Sequence, residues 1–278
     1  MKTIPPVIKW SGSKRSQASE IISKFPTEIT TYYEPFCGGC SVARALMDSE
    51  HKVGRYVLTD HNEDLISVLN LIKDNHKSLS AYYAMMWFAM KQLDSVADKS
   101  EFYSKLRDKF NKDHNPFDFI VLNRMCYNGL IRYNSKGEFN SPYHMNRDGI
   151  IPETFENILE GWSEAFNRNN VVFMCVDYKQ INPTNENDFI YLDPPYANTK
   201  GMYDSCFSQK EFFGYMSAAK CSYAFSYDGV SGEDNMTIDI PKELYSEHLY
   251  IKSGNSSFKR LKGKTHDNVY ESLYLKHN

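Results

Sequence analysis

Between Thr31 and Asp60 the chain runs strand, tight glycine turn, helix, strand, acid. Thr31 to Phe36 reads as a short strand that ends in Cys37-Gly38-Gly39-Cys40. A helical run carrying Val42, Ala45 and Leu46 follows, then a second strand, Tyr56-Val57-Leu58, that ends at Asp60. This is the βαβ arrangement of a nucleotide-binding α/β domain. The glycines let backbone approach a ligand closely, and an acid closing the second strand can take ribose hydroxyls. Asp60 has a second reading, as the N-cap of a helix starting near Asn62.

From about 62 to 120 the pattern changes to helical spacing, with Leu65, Ile66, Val68, Leu69 and Ile72 on one face and further helices at 82–93 and 102–110. Residues 126–147 are rich in Asn, Gly, Arg and Tyr. Turn signals at Asn128-Gly129 and Ser135-Lys136-Gly137 predict a hairpin or ordered surface loop. Strand signals return at 171–176 and 189–192, and again at 223–226, 249–252 and 270–276. Ser208-Gln209-Lys210-Glu211 has the form of a capping box for a helix reaching about Lys220. The expected architecture is a discontinuous α/β domain formed by 1–61 and 150–278, interrupted by a helical subdomain at 62–149 that carries a hairpin.

The 278 residues suffice for one large domain with an insertion, and a hydrophobic fraction of 41% is enough for a core. The net charge of -3 excludes a general polycation, so contact with nucleic acid must come from local patches. Four basic clusters qualify: Lys9/Lys14/Arg15, Lys105/Arg107/Lys109/Lys112, Arg124/Arg132/Lys136/Arg147 and Lys259/Arg260/Lys262/Lys264. The opening MKTIPPVIKW has no long apolar run, no stretch approaches a membrane span, and the six cysteines are scattered. A cytoplasmic protein with reduced thiols is expected.

The most specific motif is Asp193-Pro194-Pro195-Tyr196, directly after the apolar run Phe189-Ile190-Tyr191-Leu192. Two prolines alone would be a strand stop. The flanking Asp and Tyr point to chemistry on a planar amine, whose lone pair is delocalised into its ring. The Asp193 carboxylate and the Pro194 carbonyl can accept its two N–H bonds, which frees the lone pair for attack on a sulfonium methyl. The prolines preorganise the acceptors, and Tyr196 offers a ring for an extruded base to stack on. The second motif, Glu34-Pro35-Phe36-Cys37-Gly38-Gly39-Cys40, also invites a redox or zinc reading. No second Cys-x-x-Cys and no closely spaced His pair accompany it, so no metal is expected.

Four blocks in this order, with a C-terminal segment similar to the family's last strand, resemble the DNA adenine methylase (Dam) family, the D12 class of N6-adenine-specific enzymes. The blocks are Lys9 to Lys14, Glu34 to Cys40, Leu122 to Tyr143 and Asp193 to Tyr196, and the segment is Val269 to Leu273. Cys40 departs from the small residue, such as glycine, that many members carry at its position. The resemblance implies a Rossmann-like methyltransferase domain using S-adenosylmethionine (AdoMet), with 62–149 as the target-recognition subdomain. It implies that Trp10 and Lys14 lie near the methionine end of the cofactor, that Glu34, Phe36 and Gly38 form its turn and pocket, and that Asp60 holds the ribose. Asp177 would meet the cofactor adenine, with Tyr178 packed beside it. Asp193, Pro194, Pro195 and Tyr196 would be catalytic. Lys9, Arg124, Tyr127, Asn128, Leu130, Arg132, Asn134, Asn140 and Pro142 would face double-stranded DNA. A GATC site, or another palindrome containing GAT, is the expected target, with the adenine flipped out of the duplex. Cytosine N4, another planar amine, is the alternative substrate. The resemblance implies a bacterial or phage-encoded enzyme and requires no protein partner, although a cognate restriction nuclease is compatible with it.

Overall fold

The computed structural model describes residues 5–195, 207–232, 234–253 and 269–278. Two compact units emerge. One contains Met1–Ser13 with Asn62–Arg168, the other Lys14–His61 with Asn169–Asn278. The sequence-based boundaries assigned 1–13 and 150–168 to the sheet domain; here they pack with the helices.

The sheet unit contains helices α1 (Ala18–Ile22) and α2 (Ser41–Met47) and strands β1 (Glu28–Glu34) and β2 (Lys52–Asp60). After the helical unit come β3 (Val171–Cys175) and β4 (Phe189–Leu192). The strand order is β3-β2-β1-β4, then β5 (Ser222–Ser231), then β8 (Val269–Lys276) and β7 (Glu247–Ser253); β6 (Asp234–Asn235) pairs with β5 off this path. The first five strands are parallel, and β8 runs antiparallel to both β5 and β7. This is a Rossmann-like α/β fold.

β4 shows why its sequence is uninterruptedly apolar. Phe189 and Tyr191 pack against Phe25 on one face. Ile190 and Leu192 share a cluster on the other face with Phe212 and Met216 of α7 (Gln209–Ser217). A parallel strand covered on both faces must bury every side chain. One arm of the capping box forms, with Ser208 Oγ accepting from the Glu211 amide at 3.3 Å. The Glu211 carboxylate pairs instead with Lys179, at 3.0 Å.

The helical unit holds α3 (Glu63–Lys91), α4 (Val96–Asp113), α5 (Pro116–Met125) and α6 (Pro152–Arg168). Helix α3 breaks at Asn75, whose φ of -147° is non-helical. The Lys73 carbonyl accepts from Ser163 Oγ and Asn167 Nδ2 of α6, which satisfies a carbonyl next to the break. Phe155, Ile158, Leu159, Trp162 and Phe166 recur at helical spacing and form the buried face of α6. The Trp162 indole donates to the Pro5 carbonyl at 2.9 Å, which ties the N-terminal arm to this unit.

Residues 126–149 form a loop with only two isolated antiparallel bridges, Cys126 with Tyr143 and Tyr133 with Phe139. Side chains hold it where a longer ladder is missing. Asn111 bonds both backbone groups of Phe139, at 2.8 and 3.0 Å. The Tyr133 hydroxyl donates to Asp64 at 2.8 Å, and Tyr103 donates to the Ser141 carbonyl at 3.0 Å. Along 138–143 exposed and buried residues alternate, so one side of the segment is anchored and the other faces outward.

Candidate active site

The strand order reverses between β1 and β4, the point in an open parallel sheet where loops diverge and leave a crevice. Both sequence motifs leave the carboxyl ends of these two strands. Their separation in sequence is long, but Tyr32 pairs with Phe189 and Tyr33 with Ile190.

After β1 the chain turns through two left-handed residues, Gly38 (φ 45°) and Cys40 (φ 55°). The conformation at Cys40 gives a physical reason for glycine at its position, since a side chain there strains the backbone. Cys37 N–H bonds to the Thr59 carbonyl at 2.9 Å, and Gly38 N–H donates to Asp60 Oδ2 at 3.1 Å. Asp60 thus braces the turn. The α3 cap is Asn62, whose side chain accepts from the Leu65 amide, so the capping alternative for Asp60 does not hold. Both Cys37 and Cys40 are buried free thiols pushed upward in pKa by desolvation, which disfavours the nucleophilic thiolate.

Glu34 lies at 3% exposure. Its Oε2 accepts from Tyr32 Oη at 2.8 Å and from the Ala43 amide, in the first turn of α2, at 3.0 Å. No side chain of the N-cap residue Cys40 performs that service. Burial pushes the Glu34 carboxyl up to about 8, against the opposing effect of the two hydrogen bonds.

Beside the turn, a cleft of about 190 Å³ is lined by Pro35, Phe36, Asp177, Tyr178, Pro195 and Glu211, among others. The Phe36 and Tyr178 rings lie 5.1 Å apart. Tyr178 Oη is buried without a hydrogen-bond partner among the described residues. Asp177 accepts from the Lys179 amide at 2.9 Å and caps the short turn that carries Tyr178. Lys14, 5% exposed, puts Nζ 2.8 Å from Asp193 Oδ1 and 3.3 Å from Glu271 Oε2. The sequence reading missed Glu271 as part of this site. Tyr196 lies outside the described residues, as does the cluster Lys259/Arg260/Lys262/Lys264. Trp10, half-buried, falls in the helical unit, whereas Lys14 falls in the sheet unit.

In the helical unit Tyr127, Asn128, Arg132, Asn140 and Pro142 are exposed and Leu130 is half-buried. Asn128 and Gly129 are both left-handed, as their turn signal predicts. Asn134 is occupied locally: its Oδ1 accepts from the amides of Lys136 and Glu138, and its Nδ2 donates to Glu138. Arg124 departs from the surface position expected of it. At 6% exposure its guanidinium donates to the Pro6 carbonyl at 2.6 Å and lies 4.7 Å from the Phe155 ring centroid. It therefore anchors the N-terminal arm. The same arm is held at Lys9, whose N–H and C=O both bond the amide of the fully buried Asn123, at 3.0 and 2.8 Å.

A family model described as D12 class N6 adenine-specific DNA methyltransferase matches residues 10–265. Type II methyltransferase M.MjaIII of Methanocaldococcus jannaschii is 35% identical over 207 residues, covering 69% of this chain and 69% of its own. A DNA adenine methylase of Haemophilus influenzae is 34% identical over 197 residues, covering 69% of this chain and 64% of its own. Type II methyltransferase M1.LlaDCHI of Lactococcus lactis subsp. cremoris is 26% identical over 262 residues, covering 91% and 81%.

Proposed function

The chain belongs to the D12 class of N6-adenine-specific DNA methyltransferases, and on that premise we propose that it methylates a flipped adenine within a short GAT-containing palindrome, GATC first among them, with AdoMet as donor. The family description names the adenine N6 amine, which leaves cytosine N4 without support. The observation that carries the reading is the meeting of the Glu34–Cys40 turn and Asp193-Pro194-Pro195 at the reversal in strand order, beside an aromatic cleft.

The residues present fit the cofactor. Phe36 and Tyr178 offer apolar faces to a heteroaromatic ring, and the unpartnered Tyr178 hydroxyl calls for a polar edge. Asp177 is the acceptor for an exocyclic amine, the backbone of Gly38 lies along the turn, and Asp60 stands at the strand end where ribose hydroxyls bind. When bound, AdoMet supplies a methyl group already activated by a sulfonium. Asp193 and the Pro194 carbonyl receive the two N–H bonds of the target amine, directing its lone pair outward. Tyr196 stacks on the extruded base. In the helical unit the exposed set Tyr127, Asn128, Arg132, Asn140 and Pro142, with Leu130 and Lys9, meets the duplex. The Lys9-Trp10 block contacts the first guanine, Arg132 reads the guanine opposite the last cytosine, and Leu130 and Pro142 meet thymine methyls.

Asp193→Ala tests the core of this reading. Single-turnover methylation should be lost while calorimetry shows AdoMet binding close to that of the parent, because the acceptor acts on the nitrogen as it attacks. Near-parental turnover in the variant would sink the assignment.

A further inference from the structure

Asp193 is held to a second carboxylate through a buried lysine. Lys14 Nζ bridges Asp193 Oδ1 and Glu271 Oε2, and the two carboxylates are only 17% and 21% exposed. Glu271 sits on β8, and its other oxygen, Oε1, accepts from Ser253 Oγ at the end of β7 at 3.1 Å. The β7–β8 pairing, with Lys252 opposite Tyr270 and Ser253 opposite Val269, fixes the two residues in register. Burial by itself lowers the affinity of Lys14 for its proton. Asp193 and then Glu271 outweigh that and raise its pKa above the ordinary lysine value.

We propose that Glu271 is a positioning residue for methyl transfer: it shares the Lys14 ammonium with Asp193, so that Asp193 is oriented by the lysine without being neutralised by it. The inference rests on Asp193 being the acceptor of the target amine. In the transfer the N6 lone pair forms the new bond to carbon, the electron pair of the broken bond stays with the donor, and the N6 proton leaves through Asp193 to water. Positive charge thus arrives on N6 before the proton departs. Lys14 with Asp193 alone is neutral. With Glu271 the trio carries one net negative charge, which favours that arrival beside a buried ammonium and two partly buried carboxylates. Ser253 engages Oε1, leaving Oε2 aimed at Lys14. In sequence Glu271 is a lone acid on a strand, and nothing there marks it as a partner of the Asp-Pro-Pro loop.

The test compares Glu271→Gln, Ser253→Ala and Asp193→Ala. In Glu271→Gln, binding of AdoMet by calorimetry and of duplex DNA by fluorescence anisotropy should stay within about twofold, while the single-turnover rate falls by about tenfold or more. Ser253→Ala, which keeps the charge and frees the rotamer, should lose less. A second readout needs no cofactor. In protein carrying 13C-labelled lysine, the Lys14 side-chain resonance should titrate at lower pH in Glu271→Gln than in the parent. A parental transfer rate, or an unmoved Lys14 titration, overturns the inference; so does a loss that falls on binding instead of rate. Should Glu271→Gln fail to fold, Glu271→Asp, with the charge kept and the reach shortened, is read by the same two measurements. Turnover in Asp193→Ala would fell the underlying assignment, whereas an inactive Asp193→Ala beside a parental Glu271→Gln would fell the positioning role alone.

Discussion

At the scale of single residues, the turn after β1 is braced by buried carboxylates: Asp60 accepts from the Gly38 amide, and Glu34 from Tyr32 Oη and the Ala43 amide. Glu34 is the clearest case, because its carboxyl is raised from an ordinary 4.5 to about 8 by burial. In the unfolded chain it ionises near its ordinary value, so between roughly pH 4.5 and 8 folding must return a proton to it. Stability therefore falls as pH rises through that window, by up to about 1.4 kcal/mol per unit. Below the window both states are protonated and the slope from this group vanishes. Glu34→Gln retains an oxygen for Tyr32 and Ala43 but has no proton to lose. Urea unfolding from pH 5 to 8 should give a flatter profile for the variant, and it should overtake the parent toward pH 8. A parent–variant difference that is constant with pH would mean that Glu34 stays ionised in the fold.

At the scale of elements, the loop and the N-terminal arm are fastened to helices by buried amides and hydroxyls. Asn123 on α5 is the strongest such fastener, with two hydrogen bonds to the backbone of Lys9. Gly129 leaves room for the same residue: a Cβ there would lie 2.3 Å from Lys9 Cδ, and its φ of 68° disfavours a side chain as well. Asn123→Ala strands two backbone groups and should cost about 1–3 kcal/mol. If Lys9 contacts the first guanine as proposed, the substitution should also blur discrimination at that base pair, with AdoMet affinity unchanged. Methylation rates on single-base variants of the site, with calorimetry alongside, measure both, and sharp discrimination in the variant would detach Lys9 from base reading.

The same scale shows what the sequence made legible. The apolar run of β4, the alternation around the glycine turn and the helical spacing at 102–110 are local patterns, and each became the element it predicted, whereas the runs at 65–72 and 82–93 merge into α3 across the break at Asn75 and α5 went unread. The order of strands is not local, since β1 takes β4 as a neighbour across the whole helical unit. Helix α6 was readable from Phe155, Ile158, Leu159, Trp162 and Phe166, yet went unread behind a long polar loop; with it went the true boundary of the helical unit. Arg124 looked like its neighbours in a basic segment, and only the packing of Phe155 and Pro6 around it reveals an interior position.

At the scale of the whole molecule, the net charge of -3 leaves little unspecific pull on DNA. Several lysines of the helical unit already face acids: Lys91 and Lys99 share Asp148, Lys105 meets Glu101, and Lys109 meets Asp118. Arg132, by contrast, is exposed on the loop. If Arg132 grips guanine, Arg132→Ala should lose about 1–3 kcal/mol of discrimination at one base pair. Binding measured on GATC and its single-base variants at two salt concentrations would show that selective loss. A uniform loss with a shallower salt dependence would make Arg132 a phosphate contact and remove the main support for GATC.

Because Asn123 grips Lys9 by both backbone groups, the helical unit is encoded in two separate stretches, the arm ending at Ser13 and the long crossing from β2 to β3. A recombination that exchanged only residues 62–168 with those of a relative would carry over the socket but leave the host's own arm to fill it. If the helical unit reads the target as proposed, the hybrid would keep its sheet and misread its site. On that reading, a new target sequence is inherited, in nature or by design, only when both stretches travel together.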